Sequence, residues 1–346
     1  MKRIYLILAI ILMLILPVKA HDLTAPPVPE YAEKFMPDNQ KNFADGLWEV
    51  LRDALLHIRP DLKEAGTICI GIIAITLVLS LLKIFPGTPE NTINLAGSVG
   101  IALILFRSTG SLVNLASTTV AEISEYGKLL LPVMTAAMAG QGSINTSASL
   151  YAGTALFNAL LTSLIGRLLT PMVYLFLLLA VGNSAVGENT VKKIRDAMKW
   201  FTTWSLKMIL YVYTGYIGIT GVVSGTADAA ALKAAKLTIS GVVPVVGGIL
   251  SDASEAILIS AGTVKNAAGI YGLFAVLAIW IGPFLQIGSH YLLIKATGGI
   301  CSAFANKSSI ELIQDFVTAL GLLLAMTGAI CLMLLISLVC FLKGVG

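Results

Sequence analysis

From Phe316 to Leu342 the chain carries no charged side chain. As a helix, that run is long enough to cross the roughly 20 residues' worth of apolar core that a bilayer presents. Comparable apolar runs occur at Ala65 to Phe85, Ile93 to Phe106, Ala155 to Val186, Met208 to Val223 and Ile270 to Ile294. With 57% hydrophobic and only 12% charged residues, and a mean hydropathy of +0.88, the composition lies outside the soluble range. The expectation is an all-α polytopic membrane protein with about six transmembrane helices.

Two further apolar stretches, Leu129 to Ala139 and Ser240 to Ser260, are interrupted by Pro132 in the first and by Gly241, Pro244, Gly247 and Gly248 in the second. Helix breaks are costly in lipid unless protein or water satisfies the freed backbone, so both are expected as re-entrant or surface half-helices. The long runs around Pro171 and Pro283 are expected to be kinked. Pro132 and Pro171 stand at the same separation as Pro244 and Pro283, which suggests a parallel internal duplication with units 93–186 and 205–298. The basic segment 187–207 and its counterpart 295–315 then fall on the same, cytoplasmic side, as the positive-inside rule requires. Within the first of these, Val191, Ile194, Met198 and Phe201 define an apolar face, and Trp200 and Trp204 suit an interfacial belt.

Lys2 and Arg3, the apolar run Ile4 to Leu16 and the small-residue pattern ending at Ala20 have the layout of a secretory signal peptide over 1–20. Residues 21–64 hold nine acidic against five basic side chains and form an extracytoplasmic region ahead of the membrane domain 65–346. A helix is expected from Phe43, with Phe43, Leu47, Leu51, Leu55 and Ile58 on one face. That face is suited to a partner, the membrane surface, or the protein's own membrane domain.

No catalytic motif is present: there is no H-E-x-x-H, G-x-S-x-G or P-loop. His21, His57 and His290 lie in separate regions, so neither a metal site nor a cofactor is expected, and the protein is not expected to be an enzyme. Cys69, Cys301, Cys331 and Cys340 have apolar surroundings and read as small core residues. Positive charge is scattered rather than gathered in a stripe, which argues against nucleic acid. The residues that stand out as pathway or packing candidates are Arg167, inside a span, and Asp252, Glu255 and Lys265. Asp252 and Glu255 share a helix face by their spacing, and Lys265 is near enough to pair with either. Solvated surface charge explains the last three equally well.

Ser240-Gly241-Val242-Val243-Pro244-Val245-Val246-Gly247-Gly248, Ala261 to Asn266 and Gly298-Gly299-Ile300-Cys301 together resemble the stage III sporulation protein AE family of endospore-forming bacteria. The resemblance covers roughly Ala65 to the C-terminus, and the 238–266 block is its most specific part. It implies a multi-pass protein of the mother-cell membrane surrounding the forespore, in contact with the lipid bilayer. It further implies a channel or secretion-like complex with the other stage III sporulation A operon proteins and with stage II sporulation protein Q. A stand-alone secondary transporter and a passive membrane scaffold are the competing readings.

Overall fold

The computed structural model describes residues 25–37, 43–82, 89–140, 144–186, 189–219 and 267–344. Regular structure among them is entirely helical: α1 (Glu30–Glu33), α2 (Phe43–His57), α3 (Arg59–Leu82), α4 (Glu90–Gly140), α5 (Ile144–Leu164), a π-helical turn (Ile165–Leu169), α6 (Thr170–Val186), α7 (Asn189–Ile219), α8 (Ala267–Cys301) and α9 (Lys307–Gly344). Five helical stretches among the described residues are long and apolar enough to cross a membrane: Arg59–Leu82, Leu95–Ala139, Thr146–Ala185, Gly269–Cys301 and Lys307–Lys343. The chain is an all-α membrane protein. Met208 to Val223, expected as a sixth span, supplies the end of α7 up to Ile219 and is not among the five.

The centre of the bundle is α9, packed along α4 on one side and α8 on the other. In α4, 51 residues rise about 76 Å at 1.5 Å each, more than twice the thickness of a hydrocarbon core. The long helices therefore extend beyond the bilayer. α3 and α4 form the expected hairpin, with Leu79 against Gly97 and Ile104 against Gly71. At the other end of the bundle, a Cβ on Gly269 would lie 2.0 Å from Leu342, so α8 and α9 approach there only because position 269 is glycine.

Pro132 does not act as the sequence suggests. Leu129 to Ala139 is not a separate half-helix, because α4 runs through Pro132 from the stretch that begins at Ile93. Pro132 sits on the outward side of α4 while Leu130, Leu131 and Met134 are buried. Packing along the inward face thus holds the helix together across the missing hydrogen bond. α8 likewise continues through Pro283. Only near Pro171 does the helix change form: the Thr170 N–H reaches back to the Ile165 carbonyl, a π-type bond that takes up the irregularity ahead of the proline. Pro171 and Pro283, equivalent under the supposed duplication, thus occupy different local settings. Most of the second unit's first half, 220–266, is outside the described residues, as are 1–20 and the segment carrying Gly241, Pro244, Gly247 and Gly248.

α2 is found over the expected residues and is folded back on the protein itself. Gly46, Val50 and Ala54 face inward, with Gly46 against Phe274 of α8, while Trp48, Leu55 and Leu56 stay exposed. In α7 the expected apolar face is half-buried at Val191, Met198 and Phe201 and exposed at Ile194. Arg195, Thr202, Ser205 and Leu206 are buried, and Ile194, Trp200, Trp204, Met208 and Val212 are exposed. A helix bordering lipid gains little by hiding apolar side chains and turns its polar groups toward the bundle.

Candidate functional site

The basic segment at the start of α7 and the polar first turns of α9 meet at one end of the bundle. Arg195 Nη1 donates to Asp315 Oδ2 at 2.6 Å, with both side chains nearly buried. The same guanidinium donates through Nε and Nη2 to Asp196 Oδ1, at 3.1 and 3.0 Å. Lys192 lies 3.9 Å from Glu311 one turn nearer the end. Beside this pair, Ser184 of α6 joins three helices. Its hydroxyl lies 2.7 Å from that of Ser98 on α4 and donates to the Ser308 carbonyl at 3.0 Å, while the Ser308 hydroxyl donates back to the Ser184 carbonyl at 2.5 Å. Serines allow this close approach, and hydrogen bonds satisfy them where water is scarce.

Next to the ion pair, α7 and α8 diverge and leave a cleft of about 710 Å³ floored by α9. Lys199 of α7 and Lys295 of α8 line its two walls, and Gln314, Leu322 and Ala325 line the α9 floor. Lys295 Nζ is 3.4 Å from the Tyr291 hydroxyl and 5.4 Å from the centre of its ring. On the outer side of α7, Trp200 and Trp204 stack with centroids 6.0 Å apart. Both are exposed, as an interfacial belt requires.

A second, smaller cavity of about 410 Å³ lies where the N-terminal strap crosses α4 and α8. The strap is fixed by two hydrogen bonds to α4: Tyr31 donates to Glu122 Oε2 at 2.5 Å, and the Pro26 carbonyl accepts from Tyr126 at 3.2 Å. Burial, and then the adjacent Glu122 carboxylate, push the Tyr31 phenol well above its ordinary range, so it remains a neutral donor. Phe35 inserts between Gly282 and His57, meeting the imidazole edge-on at 5.8 Å.

Of the residues singled out in the sequence, Arg167 lies in the π turn with its side chain exposed on the outside of the bundle, away from the cleft and the ion pair. Asp252, Glu255 and Lys265 lie outside the described residues. All four cysteines are free and buried, and no group of His, Cys, Asp or Glu suited to a metal occurs among the described residues. Sequence reasoning missed the Arg195–Asp315 pair. A signal was present: Asp315 is the last charge before the uncharged run of α9, so a folded bundle would draw it inside.

A family model described as Stage III sporulation protein AE matches residues 28–344. A curated relative named Stage III sporulation protein AE, from Bacillus subtilis (strain 168), is 20% identical over 308 residues, covering 87% of this chain and 76% of the relative. No solved structure matches.

Proposed function

From the premise that the chain belongs to the stage III sporulation protein AE family, we propose that it is a membrane component of a channel or secretion-like complex linking mother cell and forespore. Its place is the mother-cell membrane around the forespore, reached by way of the N-terminal signal sequence, and its role there is not enzymatic. The partners are the other stage III sporulation A proteins, with stage II sporulation protein Q on the forespore side. The observation that carries this reading is the extent of the family match, which takes in the N-terminal strap as well as the membrane helices. The fold supports it through α2, whose inner face is anchored on α8 while Trp48, Leu55 and Leu56 stay exposed as a small apolar surface.

Deleting the gene in its spore-forming host is expected to halt forespore development after engulfment, and normal spores from the deletion strain would sink the proposal. Replacing Trp48 and Leu56 together by Ser is expected to abolish co-purification with the partner proteins while leaving membrane insertion intact. Solute movement by the purified protein alone in liposomes would favour a stand-alone permease instead.

A further inference from the structure

We propose that the cleft between α7 and α8 binds an anionic phospholipid, its phosphate held between Lys199 and Lys295 and an acyl chain laid along α9. The inference goes beyond a role in sporulation, since it concerns what the membrane must contain for this bundle to close. Charge selects the ligand: among the described residues, two lysines line the cleft and no carboxylate does. The nearby acids are engaged elsewhere, Asp315 and Asp196 with Arg195 and Glu311 with Lys192.

Shape and depth select a lipid over a small anion. The cleft lining passes from polar side chains at Lys295, Lys199 and Gln314 to apolar ones at Leu206, Leu322 and Ala325. From Ile313 to Ala325 the α9 floor extends about 18 Å at the helical rise, which suits an acyl chain and exceeds what phosphate needs. Gly298 and Gly299 line the α8 wall, where a Cβ on Gly298 would press on Ile313 at 3.1 Å and one on Gly299 would meet nothing within 4 Å. The exposed, stacked Trp200 and Trp204 flank Lys199 and Thr203 of the cleft in sequence, and paired exposed tryptophans suit the interfacial level where a headgroup sits. Basic pockets between spanning helices are a recurrent setting for anionic headgroups, each cation contributing on the order of 1 kcal/mol.

The test uses delipidated full-length protein in neutral detergent, titrated with dioleoyl phosphatidylglycerol, dioleoyl phosphatidylcholine or inorganic phosphate. Retained lipid is counted by native mass spectrometry and stability is followed by Tm. Phosphatidylglycerol is expected to be retained about 30-fold over phosphatidylcholine, as two lysine contacts imply. The preference should fall toward unity in Lys199→Gln/Lys295→Gln and persist in the charge-matched Lys193→Gln/Lys207→Gln. A photo-crosslinker at Ala325 should label an acyl chain. The proposal is overturned by equal retention of the two lipids, by loss of preference in both double variants, or by a Tm rise with phosphate alone that matches phosphatidylglycerol. A crosslink from position 325 into the chain's own residues 220–266 would overturn it as well.

Discussion

α3 and α9 are similarly apolar, yet 28% of the apolar window of α3 is buried inside the protein against 78% of that of α9. α3 leaves Ile70, Leu77, Val78 and Leu81 exposed on its outer side and touches its neighbours through Cys69, Ile72 and Thr76. α9 is enclosed by α4 and α8 and also contacts α5, α6 and α7. Lipid is as good a solvent for Leu as another helix is, so apolarity takes a segment into the membrane without saying whether it becomes core or rim. Small and polar residues make the difference. α9 offers Ser308 to α6, Asp315 to α7 and Ser337 to Tyr213, whereas the polar contacts of α3 in this region run to α8 alone, from Thr76 to Cys301 and from Cys69 to Thr297.

The contrast is tested most severely by truncating one large side chain on each helix. Phe316 is fully buried with its ring edge-on to Phe106 at 5.3 Å, and Phe316→Ala is expected to destabilise the protein by about 3–5 kcal/mol in mixed-micelle unfolding. Ile70→Ala on α3, at a position 71% exposed, should stay within about 0.5 kcal/mol. Comparable losses at the two positions would erase the distinction between core and rim.

Removing a charge should separate the helices by slightly less. Arg195→Ala leaves Asp315 buried without its partner, with an expected loss of about 3 kcal/mol or more. Lys63→Ala, on the exposed side of α3, should be near neutral in the same assay. Glycines come next: Gly269→Ala forces Leu342 aside and should cost about 1–3 kcal/mol, while Gly66→Ala, with nothing within 4 Å of the new methyl, should be neutral or slightly stabilising. The smallest effect is expected for Tyr213→Phe. It deletes the hydroxyl that joins α7 to Ser337 and to the Met333 carbonyl, and a Tm measurement should report a loss near 1 kcal/mol.

Some of this arrangement is legible in single residues. The helix from Phe43, the span from Phe316, the burial of all four cysteines and the exposure of Trp200 and Trp204 follow from local pattern and match the structure. Other features are misread when taken locally. Pro132 is a helix breaker by propensity, yet α4 passes through it because the opposite face is packed against α8 and α9. The charge of Arg195 suggests solvent when read locally, yet the side chain is buried, because Asp315 of α9 offers it a partner inside the bundle.

By itself the sequence determined that this chain enters a membrane as helices, because uncharged runs of spanning length admit few other solutions in lipid. It also carried the family's motifs in readable form. Only the tertiary structure decided which helix became the core, where a proline could be tolerated, and that Lys199 and Lys295 would face each other across one cleft. Those outcomes depend on contacts between residues up to a hundred or more positions apart, and in hydrocarbon the choice of neighbour rests on close fit and hydrogen bonding, which hydropathy does not encode.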